Sequence, residues 1–243
     1  MSDAAIALAI QELVIANRIM AHENVIDDFG HVSVRHPLRA DRYFISRSRS
    51  PELVTREDIM EMTLDDEPVE QNGRPMYKER VIHSAIYKAR PDINAAVHHH
   101  AKEVLPFTIS EGAHAKYRPV MHLAAVLGAN IPFWDSQDDF GDTNMLIETR
   151  EQGDSCARAL ADNTCLLIRG HGANCVGRNL REVVFIAVQM MENAKILLNS
   201  LPLGPVVYLT PGEIEQTRNM QLGGNPMTRA WDYRAARAGF RGI

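Results

Sequence analysis

The chain has 243 residues, 45% hydrophobic and 23% charged, with a formal net charge of −5. This length and composition suit one well-packed globular core and exclude a disordered or fibrous polymer. The acidic balance and the scatter of Lys and Arg exclude the basic footprint of a nucleic-acid binder.

The first residues, Met1 to Glu12, have neither a basic start nor a small-residue cleavage site, so a cytoplasmic location is expected. Apolar residues at helical spacing, from Ile6 through Leu13 and Ala16 to Met20, predict an opening amphipathic helix. Residues 30–35 and 43–46 read as strands, and Thr55-Arg56-Glu57-Asp58 as a capping box opening a helical turn. After the Asn72-Gly73 turn, a helix over 78–89 ends before Pro91, because the residue ahead of a proline is pushed out of helical geometry. A buried strand over 93–98 and a helix over 101–110 follow.

Thr143 is expected to cap a helix running towards Ala161, and a strand over 164–168 leads into a loop, 169–174. A helix over 180–199 and a proline-bearing stretch, Pro202 to Pro211, complete the pattern. The longest apolar run, Val183 to Met191, is far short of the roughly 20 residues a membrane span needs. Alternating helices and strands with no repeat or long linker predict an α/β fold, a sheet with helices on both faces. One domain over 1–243 is expected, with a C-terminal tail from about residue 222. Cys156, Cys165 and Cys175 fit no disulfide framework or paired-cysteine zinc site and are expected to be buried free thiols.

Side chains on a strand alternate between faces, so His98 and His100 point one way and His99 the other. His171, between Gly170 and Gly172, stands at the end of a strand. Three imidazoles with an open position would describe a catalytic metal site; a structural site would close its shell with a fourth protein ligand. Glu79 and His83 share one helix face, with Tyr87 a turn further on. Glu79 could reach a metal or a substrate, whereas His83 and Tyr87 read as packing or supporting groups. His22, His36, His99, His114 and His122 read as structural, and His31, in Gly30-His31-Val32-Ser33, stays open between structure and ligand contact.

From about Ile6 to Leu201 the sequence resembles the class II aldolase and adducin-like family. The matching elements are Gly30-His31-Val32-Ser33, the Glu79-xxx-His83-xxx-Tyr87 helix, Val97-His98-His99-His100 and Gly170-His171-Gly172. The resemblance implies a three-layer α/β/α sandwich with a mixed, mainly antiparallel sheet, assembling as a homotetramer with sites at subunit interfaces. It implies His98, His100 and His171 as ligands of one divalent ion, manganese or zinc, with iron or cobalt as alternatives, and Glu79 as the acid/base. Sugar-phosphate members cradle phosphate with small polar residues; here His31, Ser46-Arg47-Ser48-Arg49 and Tyr77-Lys78 stand in those places.

His31, Ser46, Arg47 and Arg49 are therefore expected to bind substrate, the two guanidinium forks matching a planar carboxylate. The combination is similar to the decarboxylase branch, which acts on hydroxylated aromatic or pyridine dicarboxylates such as 3-hydroxy-2-methylpyridine-4,5-dicarboxylate and 3,4-dihydroxyphthalate. In that setting a divalent ion serves as Lewis acid and Glu79 as proton carrier. The C-terminal Arg229-Ala230-Trp231-Asp232-Tyr233 is expected either to reach a neighbouring subunit's site or to be a loose terminus. An aldolase or epimerase would call for an intact phosphate cradle, an interaction module for lost ligands, and a ferrous oxygenase for oxygen dependence.

Overall fold

The computed structural model describes residues 2–241. Its strands are β1 (His31–Arg35), β2 (Arg42–Ser46), β3 (Ile59–Thr63), β4 (Ala95–His99), β5 (Phe133–Trp134), β6 (Cys165–Ile168) and β7 (Gly172–Gly177). The helices are α1 (Ser2–His22), α2 (Arg80–Ala89), α3 (Pro106–Ile109), α4 (Ser136–Phe140), α5 (Arg150–Leu160), α6 (Leu180–Ser200), α7 (Pro211–Gln221) and α8 (Asn225–Arg237). The strands form one sheet in the order β3-β2-β1-β4-β7-β6-β5. Every neighbouring pair is antiparallel except β5 with β6, which is the mixed, mainly antiparallel sheet expected.

The two-residue period of the strands sorts side chains into two cores. Ala95 and Val97 of β4 join Leu13 and Ile19 of α1 and Val183 and Ile186 of α6 on one face. Ala96 joins Val81, Ile82 and Ile86 of α2 and Cys156 and Leu160 of α5 on the other. Helices thus cover both faces in an α/β/α sandwich. By length and composition Asp3–His22 of α1 would suffice to cross a membrane, although polar residues interrupt its apolar ones. Its Leu13, Ala16, Ile19 and Met20 are fully buried in the protein core, so its apolar face is already covered.

Several segments depart from expectation for local physical reasons. Only Pro106–Ile109 of the 101–110 stretch is helical; Pro106 has no N–H to give a preceding turn and therefore starts a helix. Thr143 instead accepts the Met145 N–H in a tight turn, and the next helix starts at Arg150 under a capping box formed by Thr149 and Gln152. The 169–174 loop shortens to 169–171, because β7 begins at Gly172. A Cβ on Gly172 would lie 2.2 Å from the His99 carbonyl oxygen, and one on Gly177 would lie 2.8 Å from the Val183 nitrogen. These glycines mark close backbone approach within a strand, not a loop. β3 and α7 were not expected. Residues 225–237 form α8, and Trp231, placed at sequence level in a reaching or loose tail, is buried in its own chain under the Arg181 guanidinium.

Candidate metal centre

The elements deliver four side chains to one point. β4 carries His98 and leads into His100, the β6–β7 turn carries His171, and Glu79 precedes the first turn of α2. One ligand atom from each of Glu79, His98, His100 and His171 lies within 4.8 Å of all the others. His98 Nε2 is 3.0 Å from His100 Nε2 and 3.1 Å from His171 Nε2. The Glu79 carboxylate approaches His171 Nε2 to 3.5 Å and His98 Nε2 to 3.7 Å.

The partners of the opposite ring nitrogens fix where the hydrogens are. His98 Nδ1 meets the Asn174 side-chain oxygen at 2.7 Å, His171 Nδ1 the Met145 carbonyl at 2.8 Å, and His100 Nδ1 the Asp27 carboxylate at 3.0 Å. All three partners are acceptors, so each Nδ1 carries the hydrogen and each Nε2 presents a lone pair. Three lone pairs facing one another at about 3 Å repel unless a cation lies among them. Burial, followed by the neighbouring His100 and His171, pushes His98 well below its usual pKa, keeping that nitrogen free. At His171 burial acts downward, but the Glu79 carboxylate and the Met145 carbonyl outweigh it and raise the pKa. The donor set therefore fits a divalent ion, with imidazoles oriented by outer partners as metal histidines commonly are.

Asp27, Asn174, Met145 and Ile147 escaped sequence reasoning. Asp27 Oδ1 also accepts the Phe29 and Gly30 N–H groups, a local turn that Asp27-Asp28-Phe29-Gly30 could have signalled. Burial raises the Asp27 pKa, but these amides together with His100 hold it below the usual carboxylate range. Met145 adopts φ 67°, an uncommon left-handed conformation for a non-glycine residue. Ile147 N–H donates to Glu79 Oε1 at 2.9 Å. The segment placed at sequence level in a helix is thus a strap that holds both His171 and Glu79.

The remaining predicted residues lie one layer out. The His31 ring is 5.1 Å from that of His98 and 4.7 Å from that of Tyr77. The Tyr77 hydroxyl in turn bonds Ser46 Oγ at 3.1 Å and the Arg49 carbonyl. Arg47 and Arg49, expected to await a substrate carboxylate, share Asp58 Oδ1 at 2.6 and 3.3 Å. Asp58 also closes the predicted capping box by accepting the Thr55 N–H. His99 points to the other face, beside Cys175, as the strand alternation requires.

A cavity of about 650 Å³ at the opposite end of β4 and β7 is lined by Arg90, Arg178 and Arg218. These arginines already bond Asp92, Glu182 and Thr164, and no convergent chemistry is found there.

Residues 11–198 match the model of the Class II Aldolase and Adducin N-terminal domain. The decarboxylase tropJ of Talaromyces stipitatus is 34% identical over 88% of this chain and 87% of its own. The 3,4-dihydroxyphthalate decarboxylase of Arthrobacter keyseri is 24% identical over 93% and 92%. The structure of L-fuculose 1-phosphate aldolase from Glaciozyma antarctica superposes with a TM-score of 0.78 at 19% identity, over 100% of this chain and 95% of that one. The chain is a lyase and belongs to the class II aldolase and adducin family.

Proposed function

We propose that the protein is a divalent-metal-dependent, non-oxidative decarboxylase of a hydroxylated aromatic or pyridine vicinal dicarboxylate, working in catabolism. The observation that carries the metal dependence is the convergence of three bare Nε2 atoms beside a carboxylate. Decarboxylation is favoured over sugar-phosphate cleavage because the place of a phosphate cradle is filled. Tyr77 is only 8% exposed, lies against His31 and spends its hydroxyl on Arg49 and Ser46. The similarity to two decarboxylases supports the same choice.

In this reading His98, His100 and His171 hold the ion, manganese or zinc, with iron or cobalt as alternatives. When bound, the ion supplies Lewis acidity towards the substrate's ring hydroxyl and adjacent carboxylate. Glu79 is held at Oε1 by Ile147 N–H and delivers a proton from its other oxygen to the ring carbon bearing the carboxylate. The C–C bond then breaks, carbon dioxide leaves, its bonding electrons restore the aromatic ring, and solvent returns the proton to Glu79. His31 and Ser46 contact the substrate, and Arg47 or Arg49 orients its second carboxylate in exchange for part of the Asp58 contact. The chain works as one unit in a cytoplasmic homotetramer with sites at subunit interfaces. An aldolase or epimerase acting on a hydroxy-keto compound is the second reading, favoured by the shared fold with the fuculose phosphate enzyme.

Anaerobic incubation of manganese-loaded protein with 3-hydroxy-2-methylpyridine-4,5-dicarboxylate, and separately with 3,4-dihydroxyphthalate, tests the proposal. Carbon dioxide release that disappears in His98→Ala is the expected result. Silence on both compounds together with cleavage of a hydroxy-keto substrate would establish the second reading.

A further inference from the structure

Behind the metal centre a line of buried polar side chains crosses from β1 to α2. His31 Nδ1 is 2.6 Å from His83 Nε2, His83 Nδ1 is 2.6 Å from Ser33 Oγ, and Ser33 Oγ is 2.7 Å from the Tyr87 hydroxyl. His31, Ser33, His83 and Tyr87 are each at most 1% exposed. Nothing in the chemistry proposed above uses His83, Ser33 or Tyr87.

Hydrogen counting gives this line a direction. A buried phenol keeps its O–H and must donate it, and burial raises the Tyr87 pKa further. Ser33 Oγ is the side-chain acceptor within reach of the Tyr87 hydroxyl among the described residues, so the Tyr87 O–H goes to Ser33. Ser33, accepting from Tyr87, passes its own hydrogen to His83 Nδ1. His83, pushed to a pKa of about 3 by burial, is uncharged and holds its single hydrogen on Nε2, aimed at His31 Nδ1. The His31 hydrogen therefore sits on Nε2, the ring nitrogen that His83 does not engage. The line ends at a fully buried phenol with no route for resupply, so it holds a hydrogen in place and does not conduct one.

We propose that Tyr87, Ser33 and His83 are positioning residues that lock His31 in its Nε2–H tautomer, making it a fixed, uncharged donor to a substrate oxygen beside the histidine cluster. The recipient is a carboxylate or ring oxygen, and that part rests on the decarboxylase reading; the tautomer lock does not. A flexible imidazole would divide between two tautomers and meet a substrate oxygen with a lone pair part of the time. The lock removes that loss, and the β1–β4 pairing of His31 with His98 sets its position relative to the metal ligands.

The test uses zinc-loaded full-length protein labelled with ¹⁵N-histidine, examined by magic-angle-spinning NMR, with the His31 signals assigned by their loss in His31→Asn. Wild type is expected to show His31 protonated at Nε2 and bare at Nδ1. Ser33→Ala is expected to give mixed tautomers and a turnover about tenfold lower, the scale of one hydrogen bond, at unchanged zinc content and thermal midpoint. Ser33→Thr, which keeps the hydroxyl, should restore the wild-type tautomer. A wild-type His31 protonated at Nδ1, or a Ser33→Ala protein whose His31 tautomer does not change, would overturn the proposal. Absence of decarboxylation by wild type would overturn the reaction assigned to the site and leave the tautomer spectra to decide the lock.

Discussion

Gly172→Ala is a change of one methyl group that should dismantle the metal centre. The added Cβ would lie 2.2 Å from the His99 carbonyl oxygen and 3.0 Å from His100 Cδ2. Ordinary contact starts near 3.4 Å, so β4 and β7 must separate by about 1 Å or more, since the obstacle is backbone and cannot rotate away. Overpacking of this kind costs roughly 1–3 kcal/mol. At this chain length each kcal/mol lowers the melting temperature by roughly 2–4 °C, giving a fall of about 2–12 °C. His171 precedes the glycine and His100 follows the carbonyl it strikes, so the same displacement spreads Nε2 atoms now 3.0–3.1 Å apart.

A metal site tolerates only about 0.2 Å of error in its ligand distances, so zinc affinity should weaken by at least 10- to 100-fold, the scale seen when outer partners are lost. Competition against a chromophoric chelator reads the affinity, and calorimetry of the metal-free protein reads the stability. Gly212→Ala is the control, because no atom lies within 4 Å of its Cβ and the site is helical. Wild-type zinc affinity in Gly172→Ala would refute the reasoning, since it would mean that the two strands separate without moving the histidines.

Glu79→Gln should keep metal and lose turnover by on the order of 10²-fold; full activity at normal metal content would remove Glu79 from the chemistry. Asp27→Asn replaces a charged acceptor of the His100 hydrogen, and a tenfold or greater weakening of metal binding is expected in the same chelator competition. The buried His83 has a folded pKa of about 3 against an ordinary 6.5, so the unfolded chain binds the extra proton first. Its share of the stability is complete above pH 6.5 and is lost as pH falls from 6.5 towards 3, with a limiting slope of about 1.4 kcal/mol per pH unit. Urea unfolding of metal-free protein between pH 7 and 4 should become less pH-dependent in His83→Gln, and an unchanged slope would contradict the buried neutral imidazole.

Much of the centre is written in short-range pattern. Strand alternation alone separates His99 from His98 and His100, and helical spacing puts Glu79, His83 and Tyr87 on one face, because both periodicities follow from backbone geometry. The order of sheet and helix segments is legible for the same reason. Where two signals compete within a few residues, the pattern fails: Thr143 and Thr149 are both plausible caps, and only the Gln152 side chain folding back selects the second. β7 was hidden because its glycines read locally as a loop, while the need for a bare backbone at Gly172 arises from His99, a residue distant in the chain.

Long-range pairing decides the rest. Asp58, just ahead of β3, holds Arg47 and Arg49, just past the paired end of β2, Met145 bonds His171 from 26 positions away, and Tyr87, Ser33 and His83 meet only because α2 packs against β1. By itself the sequence determined which groups could bind a metal and which way they face along their own element. Only the tertiary structure decided which acceptor meets each ring nitrogen, and hence where the hydrogens and lone pairs lie, because that choice depends on atoms brought together by packing and not by chain order.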